Sequence, residues 1–167
     1  MNEANVTSFK RGLRGMWSHP DPVKVIDKID FESAGASMPG YPHSIWQILR
    51  HMYGWCWLSI DWLRADDNFP NPDKDNYFFA EKAPADEKAW KSAQKEIHDI
   101  YDALKDILPG IDMEKKYENL NDNTAGDMLM IMTTHTSYHM AQINMILKAN
   151  GKMLDMKDLF VEDVAEL

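Results

Sequence analysis

The chain has 167 residues and a formal net charge of -9, with 44% of its residues hydrophobic and 27% charged. That length suffices for one domain around a sizeable core, expected to span residues 1–167, and the balance is that of an ordinary globular protein. So acidic a chain repels nucleic-acid phosphates and anionic headgroups, and no Lys/Arg cluster offsets this, which argues against nucleic acid as a partner.

The opening residues lack the apolar run of a signal peptide, and no stretch is long and uncharged enough to span a bilayer, so no membrane is expected. Cys56 is the single cysteine and has no internal disulfide partner, which suits a reducing compartment and a cytoplasmic location. Set among Trp55, Trp57 and Leu58, it reads as a small core residue rather than a reactive thiol.

Val6, Phe9, Leu13, Met16 and Trp17 recur at steps of three and four, which predicts a first amphipathic helix broken by "HPDP". Asp21 followed by Pro22 reads as an N-cap with proline at the first helical position, opening a short helix through Ile29. "SAGASMPGYPH" is a loop by composition. A second long helix is expected from His43 or Ser44 to about Ala65. One of its columns holds Ile45, Leu49, Met52, Cys56 and Leu63, and another holds Ile48, His51, Trp55, Leu58 and Trp62. Two apolar columns call for cover on more than one side, so a homodimer through this second helix is expected.

"DDNFPNPDKDNYF" reads as a polar connection. A third helix follows from about Asp86, presenting Trp90, Ile97, Ile100, Tyr101, Leu104 and Leu108 on one face and ending at "LPG". Thr124 with Asp127 makes a capping-box start for the fourth helix, and Gly151 is placed to end it. Its methionines, Met128, Met130, Met132, Met140 and Met145, mostly fall at core spacing. No strand-like alternation of any length appears. The expected fold is therefore all-α, a four-helix bundle with a short extra helix between the first and second long helices. The acidic tail "DLFVEDVAEL" carries no readable function.

His135 and His139 stand four residues apart, on one face of that fourth helix. Met128, Met132, His135, His139, Gln142 and Ile146 follow one another at helical spacing, so the pair faces inward. A buried imidazole needs a partner. Two readings stand: hydrogen-bonded core histidines, or two ligands of a metal ion completed by a third. His51, midway along the second helix in an apolar column, is the best third. His43 lies at that helix's start, where it caps. His19 beside Pro20 and His98 beside Asp99 read as structural or surface residues.

"PHSIWQILRHMYGW" together with "HTSYHMAQI" resembles the DinB-like superfamily, bacterial metal-binding four-helix bundles. YfiT-type members show a Ser-Ile-Trp entry into the second helix with a histidine seven residues after the serine, as His51 follows Ser44. They also show a His-x-x-x-His pair in the last helix followed by a glutamine, as Gln142 follows His139. "DPVKVIDKID" and the "KAW" start of the third helix extend the likeness over nearly the whole chain. Many relatives have glycine before that glutamine, where this chain has Ala141.

The resemblance implies a metal site of His51, His135 and His139. Among the superfamily are bacillithiol S-transferases, mycothiol-dependent maleylpyruvate isomerases and metal-dependent hydrolases. For this chain it implies a metal-dependent enzyme that transfers a low-molecular-weight thiol to a small-molecule electrophile. The alternatives are a metal-dependent hydrolase and a non-catalytic, metal-stabilised dimeric bundle.

Three neutral imidazoles leave a divalent ion's charge uncompensated and a coordination position open, the pattern of a catalytic site. Water there ionises near neutral pH, or a thiol binds as thiolate. Zinc is the first expectation and nickel the second, since imidazole suits both. Thr136 follows His135 where a zinc protease carries glutamate, so the usual general base is missing. Gln142, one turn beyond His139, reads either as orienting a ligand or cofactor or as an interhelical amide. Tyr138 and Tyr53 stand between donating into a pocket and simply packing.

Overall fold

The computed structural model describes residues 3–16, 18–64, 81–117 and 122–161. In chain order the helices are α1 (Glu3–Leu13), α2 (Pro22–Lys28), α3 (Phe31–Ala34), α4 (Ile45–Arg64), α5 (Glu87–Ile107) and α6 (Ala125–Ala149). A two-residue antiparallel pair, β1 (Lys116–Tyr117) with β2 (Asn123–Thr124), precedes α6 in the register Lys116 opposite Thr124. A period of two cannot be read from two residues, so this pair leaves no signature in the sequence. The architecture is an all-α four-helix bundle of α1, α4, α5 and α6.

Local capping chemistry places most boundaries. Asp21 accepts from the Val23 amide at 2.9 Å and starts α2 behind Pro22. Asp86 accepts from the Ala89 amide at 2.7 Å to open α5. Ser44 and Gln47 exchange bonds reciprocally, Ser44 N to Gln47 Oε1 at 3.1 Å and Gln47 N to Ser44 Oγ at 3.2 Å, which starts α4 at Ile45. Thr124 and Asp127 form the expected capping box. At the far end of α6 the Lys152 amide bonds the Leu147 carbonyl and the Gly151 amide bonds that of Lys148, with Gly151 at φ +68°. This is the Schellman closure.

One boundary differs from expectation, and one helix is added. The first helix stops at Leu13, because Gly15 takes φ +70° and a Cβ there would lie 2.3 Å from the His19 ring. Met16 therefore sits in a turn, and Trp17 lies outside the described residues. The short helix expected through Ile29 is α2, with Ile29 as its C-cap, and a further short helix, α3, follows it. The α5 side chains take the carbonyls where the chain turns: the Trp90 indole N–H donates to Ile29 O at 3.0 Å, and the Gln94 amide to Ile26 O at 2.9 Å. A new N-cap, Asp30 accepting from Ser33 N at 2.8 Å, then begins α3. The end expected near Ala65, the polar connection and residues 162–167 of the acidic tail lie outside the described residues.

All six residues expected on the inner face of the third helix are buried, Trp90 and Leu108 completely. Fully burying one side chain of this kind contributes about 1.5–3 kcal/mol, so this face alone anchors α5 firmly. α4 packs on α6 along one side and on α5 along the other, and α1 lies against α6. Tyr101 of α5 closes the ring, its hydroxyl donating to Leu13 O at 2.7 Å. Most of both apolar columns of α4 is buried inside one chain, while Trp55, Leu58 and Leu63 stay half-buried. Among the described residues, no helix is long and apolar enough to cross a membrane.

Candidate metal centre

The bundle brings His51 of α4 and His135 and His139 of α6 to one point. His135 Nε2 lies 3.1 Å from His51 Nε2 and 3.0 Å from His139 Nε2, and the candidate donor atoms all fall within 4.8 Å of one another. The rings of His51 and His139 are buried and that of His135 is half-buried. Helix geometry explains the convergence. Residues four apart share a face of α6, and α4 packs directly against that face with His51 at mid-length.

Protons alone cannot satisfy this arrangement. Gln142 Oε1 accepts from His139 Nδ1 at 2.7 Å, so a neutral His139 turns the lone pair of Nε2 towards His135. His135 Nε2 has at most one proton for two nitrogens at about equal range. Without it, His135 and His139 oppose lone pair to lone pair; with it, a single proton serves two neighbouring nitrogens. A cation meets all three lone pairs at once. Nitrogens about 2.0–2.1 Å from a zinc ion stand roughly 3–3.5 Å apart, which the short separations here nearly match. Among the described residues no carboxylate or thiolate joins the group, so the donor set is imidazole only.

Electrostatics keep those lone pairs available. Burial holds the His135 ring down to about 4, with the neighbouring His139 and His51 charges adding to it. Burial likewise brings His139 to about 4, against the opposing pull of its Gln142 hydrogen bond. At neutral pH both rings are unprotonated and ready to coordinate.

Around the three rings the surroundings differ by side. Trp55, one turn after His51, sets its ring edge-on to His51 at 6.5 Å and to His135 at 5.9 Å between centroids, and continues into Trp62 at 6.5 Å. On the other side Tyr138 lies 5.1 Å from His139, edge-on. The Gln142 side chain also bonds the Tyr41 hydroxyl, and Tyr41 in turn stands 5.8 Å from His43. With Gln142 Oε1 committed to His139, its amide NH2 is the end left to donate to Tyr41. Burial raises the Tyr41 phenol above its usual range, so it stays protonated.

Sequence reasoning passed over Tyr41, which sits in the glycine- and proline-rich loop before α4. Its only signal is an aromatic residue three positions before the Ser44 cap. Gln142 spends its Oε1 on the His139 ring. Tyr138 lies beside the cluster as one reading allowed, whereas Tyr53 points into the core. The Tyr53 hydroxyl is buried with no hydrogen-bond partner among the described residues, and burial pushes it well above the usual phenol range.

His43 lies outside α4, half-buried, and the Ser44–Gln47 pair caps that helix in its stead. His19 ties the α1–α2 connection to α6, with its Nε2 and Ser137 Oγ at 2.8 Å and its Nδ1 on the Pro20 carbonyl at 2.8 Å. His98 pairs with Asp27 at the surface at 3.0 Å. Cys56 is buried 4.0 Å from Thr136 Oγ1, and burial pushes its thiol up to about 12, which removes it as a nucleophile.

A sequence profile of the DinB superfamily matches residues 19–143, three quarters of the chain and all three clustered histidines. The chain belongs to the DinB superfamily. No curated protein and no solved structure matches it at a significant level. A three-histidine cluster in a DinB fold fits a metal-binding protein.

Proposed function

We propose that His51, His135 and His139 hold one divalent cation, zinc or nickel, and that the protein is an enzyme transferring a small thiol to an electrophile. The observation that carries this reading is the convergence of three histidine Nε2 atoms from two helices, those of His135 and His139 unprotonated at neutral pH, with no anionic donor beside them among the described residues. When bound, the cation supplies Lewis acidity that favours a thiol as its thiolate. The remainder falls to the chain. Gln142 fixes the tautomer of His139, and the Trp55 edge keeps water from one side of the cluster and offers an apolar wall to the carbon part of a substrate. In the transfer the sulfur–carbon bond forms as the leaving group departs with its electron pair, and the thiol proton passes to solvent.

Thiol transfer is favoured over hydrolysis by what stands near the rings. Hydrolysis needs a group to take protons from water during the reaction, and no carboxylate joins the cluster among the described residues. A thiol, once ionised, needs no such base. Cys56, lone and buried, accords with a cytoplasmic setting where such thiols are kept reduced.

The test offers purified, metal-loaded protein a panel of low-molecular-weight thiols with a chlorinated aromatic electrophile, with His135→Ala as background. Conjugation above that background by at least one thiol is expected. None with any thiol, or equal release from an activated ester with no thiol present, overturns the transfer reading. Elemental analysis of protein made without a histidine tag tests the centre itself. About one equivalent is expected in the parent, lost in each single histidine variant, and full retention in His51→Ala excludes the third ligand.

A further inference from the structure

α6 serves the cluster with one face and leaves another bare. Met130, Ile131, Tyr138 and Met145 are 57%, 44%, 61% and 56% exposed, far above what large apolar side chains normally show. Three of them, Ile131, Tyr138 and Met145, belong to a regular seam, with Met130 beside it. Asp127, Ile131, Thr134, Tyr138, Ala141, Met145 and Lys148 are all exposed and follow one another at alternating steps of four and three. That spacing of 3.5 residues is the one that keeps a helix in contact with a partner helix over its length. Between Asp127 and Lys148 the seam carries no formal charge, on a chain whose net charge is -9.

The order of residues is also self-complementary. Reversed about Tyr138, Asp127 meets Lys148, Ile131 meets Met145, Thr134 meets Ala141 and Tyr138 meets itself. A two-fold axis requires such a pattern, since each contact must be made twice with the roles exchanged. The two ends pair opposite charges, and the helix dipoles run antiparallel. Two copies of so acidic a chain repel on average, and an uncharged seam lowers the cost of their approach.

We propose that a second copy of this chain packs antiparallel on α6, with the axis at Tyr138. The occupant is this chain rather than a foreign partner, because a foreign partner has no reason to match a seam that reads the same in both directions. A large side chain about half exposed leaves on the order of 100 Å², so the three give roughly 300 Å² per copy and roughly 600 Å² in the pair. With Asp127, Thr134, Ala141 and Lys148 added, the contact reaches the ~1,000 Å² that a specific interface needs. Because Tyr138 lies 5.1 Å from His139, the second copy covers the polar side of the cluster while leaving Trp55 to its own chain. The proposal stands on the surface of α6 and holds whether or not a cation is bound.

Sedimentation equilibrium on the full chain tests it, with and without chelator. The parent is expected to sediment at twice its 19.3 kDa chain mass. Ile131→Glu and Met145→Lys, each placing an unpaired charge in the seam, should raise the dimer dissociation constant by about 30-fold or more. Mixing the two variants should restore a dimer of one copy each, seen by native mass spectrometry. In that dimer the carboxylate introduced on one copy faces the ammonium introduced on the other, while the second Ile131–Met145 contact stays native. A monomeric parent overturns the proposal. So does a dimer untouched by either substitution, which puts the interface elsewhere, or a failure to recover on mixing, which refutes the antiparallel register. The mixing arm also shows that each variant is folded.

Discussion

Replacing Gln142 by alanine removes the acceptor that holds His139 Nδ1–H at 2.7 Å. Two costs follow in the proposed centre. A partly buried donor is left unpaired, worth about 1–3 kcal/mol. The ring is also freed to carry its proton on Nε2, the nitrogen that faces His135. Partners that orient ligand rings in this way are worth about 10–100-fold in metal affinity, or ~1.4–2.7 kcal/mol. Competition against a chromophoric chelator should show that loss for Gln142→Ala. Gln142→Glu, whose charged oxygen accepts more strongly, should bind at least as tightly as the parent. Tyr41→Phe, one bond further out, should lose less than about tenfold. The metal-free melting temperature of Gln142→Ala should move by only a few degrees, which separates orientation from folding. Unchanged affinity in Gln142→Ala, or a glutamate variant as weak as alanine, refutes the reasoning.

Removing the cation should lower the melting temperature, since a ligand held at 1,000 times its dissociation constant adds about 4 kcal/mol; His51→Ala should melt alike with and without chelator, by calorimetry. In metal-free protein His135 and His139 are held to about 4, against ~6.5 in the unfolded chain. The unfolded chain therefore takes up protons first, so stability should fall as pH drops from about 6.5 to 4, with no contribution from these rings above 6.5. Urea midpoints across that range check this, and a His135→Gln/His139→Gln protein should show a flatter profile. Cys56 should resist an aromatic disulfide reagent at mildly alkaline pH in the native state and react stoichiometrically in urea, because burial pushes its thiol to about 12. Gly15→Ala combines a positive φ with a clash at 2.3 Å, and chemical denaturation should find it destabilised by about 2 kcal/mol or more.

Short-range chemistry was open to reading from the chain alone. Asp21, Asp86, Thr124 with Asp127, and Gly151 act on backbone groups within a few residues of themselves, so their effects need no knowledge of the fold. The inner face of α5 was legible for a similar reason, because one helix presents it at a fixed period. So was the candidate site in outline, since the helical repeat puts His135 and His139 together wherever that helix packs.

Tertiary packing decided the remainder. Whether the residues before α4 form one short helix or two depends on Trp90 and Gln94, which reach back some sixty residues to take the freed carbonyls. Tyr41 joins the cluster only because its loop folds over the end of α6 beside Gln142. The methionines of α6 sort the same way. Met128, Met132 and Met140 are buried, while Met130 and Met145 face outward. Their chemistry is identical, and only the position of α1 and α4 around the helix tells them apart. Hydrophobic periodicity says that a face wants cover but not who supplies it: for α4 the neighbours are α5 and α6 of the same chain, and for the outer face of α6 the described residues supply none.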